Sequence, residues 1–185
     1  DNTKIFGKKD TAISSFTVGH SGSGSFSATG LPPGLNINSA SGVISGSTSV
    51  VGSQSVTITA TGTTAGGGSV AVSKTYTIEI NDPASFPFRM NLTLSGYTGS
   101  STLNEFPVLV SLNQSSISGF AYNSFLDSDA DGIRNGGDLR FFASNGKELP
   151  YEIVDWNVSG ISNIWVKVPS ISGNNTVLTA AWGKT

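Results

Sequence analysis

Apolar and polar residues alternate one by one through much of this chain. In "SVTITATG", Val56, Ile58 and Ala60 alternate with Ser55, Thr57 and Thr59. In "SVAVSKTYTIEI", Val70, Val72, Tyr76, Ile78 and Ile80 alternate with Ser and Thr, and Lys74 interrupts the apolar row. Period two with β-branched residues predicts half-buried strands. The "TAGGGS" between these runs predicts a flexible hairpin turn. Shorter runs predict strands at 12–18, 24–29, 35–38 and 42–45. The pattern continues in "FRMNLTLS", "FPVLVSL", "DLRFFAS", "LPYEIVDWNV", "NIWVKVP" and "NTVLTAAWG", with turns marked by "SNGK" and "SGNN". No stretch has a 3.6-residue period. The expected class is all-β, with strands spaced as in sandwiches.

The segment "NDPASFP", Asn81 to Pro87, interrupts the pattern with two prolines and small polar residues, the mark of a linker or tight corner. It predicts two modules, residues 1–82 and 86–185. The 185 residues suffice for two β domains. The halves differ: Trp156, Trp165 and Trp182 and eight of the twelve acids all fall in the second.

Composition narrows the function classes. Only 12% of residues are charged, against about 25% in an average domain, so helix surfaces are not provided for. The net charge is −2 and no basic cluster exceeds Lys8-Lys9; the footprint of nucleic-acid binding is absent. No apolar run approaches the roughly 18–20 residues of a membrane span. The opening "DNTKIFGKKD" has no apolar signal core, which predicts a mature chain or an excised fragment. With no cysteine, disulfides, thiolate metal sites and cysteine nucleophiles are excluded.

Two resemblances sharpen the reading. "ATGLPPGLNINSASGVISGSTSVVGSQSVTITATG", within about residues 25–62, resembles bacterial immunoglobulin-like (cadherin-like) repeats, whose mark is a GLPxGL turn followed by "GVISG". Pro32 and Pro33 favour an extended approach and Gly34 can supply a positive φ, while Leu31 and Leu35 would anchor the corner. The second half, about residues 86–185, is similar to the family called domain of unknown function 2341, through "FPVLVSL", "GGDLRFFASNGKELPYEIVDWN", "IWVKVPSIS" and "AAWGK". The resemblances imply an immunoglobulin-like sandwich followed by a jelly-roll-like one, in an exported bacterial protein at the cell surface or outside the cell. They imply spacer or surface roles rather than an activity.

The candidate chemistry lies in "DSDADGIRNGGD", Asp127 to Asp138, with four carboxylates in twelve residues. Counted from Asp127, acids stand at positions 1, 3 and 5, Gly132 at 6, Ile133 at 7, Asn135 at 9 and Asp138 at 12, the spacing of a calcium loop. The expected ligands are Asp127, Asp129, Asp131, the Ile133 carbonyl and Asp138, with water near Asn135. Asp138 is one methylene shorter than the usual Glu, so it would bind through one oxygen or through water. The competing reading is a solvated acidic turn. The ion would be structural, pinning Phe125 and "LRFF" to the sandwich.

Catalytic readings are weaker. His20 is the single histidine and no G-x-S-x-G elbow occurs. Glu148 and Glu152, on one strand, would stand roughly 13 Å apart, beyond the about 5–9.5 Å of glycosidase pairs; Asp155 has opposite parity. No enzyme is expected. A carbohydrate-binding face is the alternative function: Trp156 shares parity with Glu152, and Trp165 with Lys167, so either pair could set an aromatic beside polar groups. Trp182 shares parity with Leu178 and Ala180 and reads as core. The expected partners are cell-surface glycans or neighbouring copies and modules of a surface protein.

Overall fold

A computed structural model describes residues 3–18, 24–127 and 134–184. The chain divides into two compact units, Asp1–Asp82 with Asn145–Lys147, and Pro83–Ser144 with Glu148–Thr185.

The first unit holds β1 (Lys4–Lys8), β2 (Phe16–Thr17), β3 (Gly24–Thr29), β4 (Leu35–Ile37), β5 (Val43–Gly46), β6 (Gly52–Thr63) and β7 (Ser69–Asn81). They form a four-stranded sheet, β1-β7-β6-β3, and a three-stranded sheet, β2-β5-β4. Ile5, Phe26, Val56, Ile58, Tyr76, Ile78 and Ile80 from the first sheet pack with Leu35 and Ile44 from the second. A 4+3 division around one apolar core is the immunoglobulin-type sandwich. The turn before β4 is built as its sequence requires. Gly34 has φ +89°, and a Cβ there would meet the Ser47 carbonyl oxygen at 2.1 Å, so glycine alone fits. Leu35 is buried and Leu31 packs against the same core.

Three details depart from the pattern reading. β1, in parallel register with β7 from Lys4↔Thr77 to Lys8↔Asn81, was not foreseen, because Gly7 presents no side chain and the alternation in "KIFGK" is too short. The strand expected at 12–18 is reduced to Phe16–Thr17; Ile13 is buried, but its N–H bonds the Gly46 carbonyl at 2.9 Å outside any ladder. Third, Val70 and Val72 are exposed, Val72 at 66%. The strands of the opposing sheet have two to four residues against thirteen in β7, so they cannot cover its whole inner face.

The second unit holds β8 (Phe88–Leu94), β9 (Leu103–Leu112), β10 (Arg140–Ala143), β11 (Glu148–Leu149), β12 (Tyr151–Asp155), β13 (Ser162–Ile171) and β14 (Thr176–Trp182). The sheets are β11-β10-β14-β8 and β12-β13-β9, a four-on-three sandwich among the described residues. β13 shows the logic: Ser162, Ile164, Val166 and Val168 are buried, while Trp165 and Lys167 face out. Each buried aliphatic stabilises the fold by about 1.5–3 kcal/mol. Phe141, Leu149, Leu178, Ala180 and Trp182 supply the opposite wall.

"LPYEIVDWNV" is two strands, not one. β11 pairs with β10 and β12 with β13, so the chain changes sheets at Pro150. Proline has no N–H to donate to a ladder, which suits it to such a corner.

Candidate functional site

The acidic loop runs from the end of the β9–β10 connection into β10. Its last residue is Asp138, which is 6% exposed. Its Oδ2 accepts hydrogen bonds from Gly183 N–H at 2.6 Å and Leu126 N–H at 3.2 Å. One carboxylate oxygen thus joins the residue after β14 to the segment that leads into the loop. Oδ1 is buried and accepts no hydrogen bond among the described residues. A buried carboxylate oxygen in that condition is costly unless a proton, water or cation meets it.

The flanks of the loop are fastened to aromatic core. The Arg134 guanidinium donates to the Phe125 carbonyl, and the Arg134 carbonyl accepts from Trp156 Nε1 at 2.5 Å. Trp156 packs edge-on against Phe125 and Tyr122, with centroids 4.9 and 5.3 Å apart. Phe125 in turn stacks on Trp182 at 5.1 Å. Gly136 has φ +74°, and a Cβ there would stand 2.6 Å from the Trp156 ring, so the loop can lie on the indole only with glycine at this point. Asn135 Oδ1 caps the turn by accepting from Gly137 N–H at 3.1 Å.

Asp127 and Asp138 are the two expected ligands that are described; Asp127 is half-buried. Asp129, Asp131 and Ile133 lie outside the described residues, as does His20. Among the described residues no three acidic or histidine side chains are gathered as a metal site.

Next to Asp138, Arg140 donates to the carbonyls of Gly137 and Leu139 at 2.9 and 2.7 Å and pairs with Glu148 at 3.3 Å. Tyr151 donates to the Leu139 carbonyl at 2.6 Å and accepts from Arg140 at 3.4 Å. Burial pushes the Tyr151 phenol above its ordinary 10.0, and the Arg140 charge opposes that rise.

The glycan candidates separate into two places. Trp165 is 43% exposed in the middle of β13. Glu152 of β12 and Leu109 of β9 stand directly opposite it in register. Lys167 shares this outer face and pairs with Glu105 at 2.8 Å. Trp156 does not join them. The register of β12 against β13 slips between Ile153 and Asp155, and this bulge inserts Val154. One extra residue reverses the alternation, so Trp156 turns inward and the parity that linked it to Glu152 is broken. The catalytic geometry also changes: Glu148 and Glu152 belong to different sheets, so a spacing along one strand does not apply.

Pattern reading missed Phe120 and Tyr122, and it placed their neighbour Phe125 against the sandwich only through a bound ion. All three are buried in a connection without alternation. Tyr122 donates to the Leu112 carbonyl and shares a hydrogen bond with Ser162 Oγ, each at 2.8 Å. The aromatic density of "GFAYNSF" was the available signal.

The fold and these sites define an all-β protein of tandem sandwich modules, the first of immunoglobulin type. Residues 3–81 match the family described as Putative Ig domain, and residues 135–184 match the one described as Domain of unknown function (DUF2341). The first match spans β1 to β7; the second starts at Asn135 inside the acidic loop and runs through β14, leaving β8 and β9 outside it. No curated protein matches the chain. Among the described residues, no helix is long and apolar enough to cross a membrane.

Proposed function

We propose that this chain is a non-enzymatic, calcium-stabilised structural or adhesive segment of an exported bacterial surface protein or extracellular fibre. The observation that carries the calcium reading is Asp138. It occupies the twelfth position of a calcium-spaced loop, is buried, and has one oxygen engaged by two backbone N–H groups and the other without a hydrogen bond among the described residues. Calcium takes about six to eight hard oxygen ligands. Asp127, Asp129, Asp131, the Ile133 carbonyl and Asp138 Oδ1 would provide five of them. Asn135, already capping Gly137, suits the position that usually reaches the ion through water.

With Oδ2 committed to the backbone, Asp138 serves as a one-oxygen ligand. That favours affinity in the roughly micromolar to millimolar range, below that of buffering loops. The Ig-type sandwich, the low charge and the lack of cysteine support a surface role. Separation of Glu148 and Glu152 into different sheets, with Glu148 held by Arg140, supports a non-catalytic one.

Calorimetry and thermal melting test the reading. Calcium at about 100 times the dissociation constant adds about 2.7 kcal/mol to a folded state that alone binds it. The melting temperature should rise with calcium and fall with chelator, and Asp129→Ala should remove the difference. No heat of binding at millimolar calcium, or a melting temperature indifferent to chelator, overturns the proposal.

A further inference from the structure

We infer that the outer face of the β12-β13-β9 sheet is a platform for a neutral polysaccharide, with a pyranose ring stacked on Trp165. This gives the adhesive part of the proposed function a ligand class and rests on that part, not on the calcium loop. Trp165 lies at the centre of the central strand, 43% exposed. An indole kept in water on a central strand contributes little to the core. Exposed Leu109 and Val154 extend the apolar surface. Polar groups ring it closely. Glu152 is opposite Trp165 in register. Lys167 is held by Glu105, and Ser111 Oγ donates to Asn163 Oδ1 at 2.8 Å. At about 4.8 Å between strands, Glu152 to Leu109 spans about 10 Å with Trp165 between them, the scale of a disaccharide.

The chemistry selects the occupant. A flat aromatic with hydrogen-bonding side chains across on the neighbouring strand and two residues away on its own strand matches a sugar, which has an apolar C–H face and a rim of hydroxyls. A stable protein interface would need about 800 Å² per partner with charge kept from its centre, whereas charged side chains directly flank Trp165. Glu105, Glu152 and Asp155 outnumber Lys167 on this side, which disfavours phosphate- or uronate-rich polymers. Neutral chains of equatorially linked pyranoses, which present flat faces, fit best.

Retention of the full chain on microcrystalline cellulose and on crystalline chitin tests this, with polygalacturonate as the acidic comparison and cellohexaose and chitohexaose in calorimetry. The expected result is retention on at least one neutral polymer, reduced about tenfold or more by Trp165→Ala without a change in melting temperature. Trp165→Tyr, which keeps a stacking ring, should bind between the two and guards against a folding defect in the alanine variant. Glu152→Gln should weaken binding less than Trp165→Ala. No retention on either neutral polymer, undiminished retention of Trp165→Ala, or preference for polygalacturonate overturns the inference. So does a concentration-dependent dimer that Trp165→Ala dissolves, which would make the face a contact between copies. Glycan binding and calcium binding are measured independently, the first by retention on the polymers and the second by melting with and without chelator.

Discussion

Asp138 joins the residue after β14 to the segment that leads into the acidic loop through one carboxylate oxygen. Asp138→Ala leaves the N–H groups of Leu126 and Gly183 without their acceptor, and each orphaned group costs about 1–3 kcal/mol. Asp138→Asn keeps an acceptor oxygen for them and lacks the charge an ion requires. In urea unfolding with and without calcium, the alanine variant should be the less stable of the two, and the asparagine variant should lose most of its calcium response. An unchanged response in Asp138→Asn would remove Asp138 from the ligand set. Tyr151 gives a second, pH-dependent prediction. Burial raises its folded-state pKa above 10.0, so the folded state holds the phenolic proton more tightly than the unfolded chain does. Its contribution is complete below about pH 10 and is lost as pH rises from there through the folded-state value. Tyr151→Phe should therefore flatten the alkaline decline of stability measured by urea unfolding from about pH 9 to 11; an equal slope would mean that the phenol's burial does not govern it.

At the scale of elements, two interruptions decide which way side chains face. The bulge at Val154 turns Trp156 toward Phe125 and leaves Glu152 outside. Pro150 passes the chain from one sheet to the other. In β7 the issue is cover rather than direction. Thirteen residues span about 43 Å, while the four residues of β5 span about 13 Å. Val72 stands beyond that cover and Ile78 beneath it, fully buried. Val72→Thr should change stability by no more than about 0.5 kcal/mol, and Ile78→Ala should cost about 2–5 kcal/mol, by the same denaturant measurement. A large cost at Val72 would show that this half of the strand is covered in solution.

At the scale of the molecule, each unit has an apolar core drawn from both of its own sheets. Neither core relies on a disulfide, since cysteine is absent. The second is unusually aromatic, with Phe120, Tyr122, Phe125, Phe141 and Trp182 buried together. The acidic loop is anchored against this aromatic group through Arg134, Gly136 and Asp138. A metal bound there would act on packing, and its removal should be read first as a loss of stability rather than of any activity.

The alternation of Val, Ile and Leu with Ser and Thr was enough to place most strands and to exclude helices, because period two is a local property of the extended chain. The GLPxGL turn was legible for the same reason, since Gly34 needs a φ that its own residue type permits. The spacing of acids from Asp127 to Asp138 is likewise a property of the sequence alone, and Asp129, Asp131 and Ile133 within it lie outside the described residues. Other features depend on what comes near in space. Burial of Phe120, Tyr122 and Phe125 depends on the sheets that close over them, and exposure of Val70 and Val72 on where an opposing sheet stops. The inward turn of Trp156 follows from one inserted residue in a ladder, and ladders are set by partners, not by the strand alone. The union of Glu152, Trp165 and Leu109 on one face required the register of three strands distant in sequence, and that register exists only in the folded sheet.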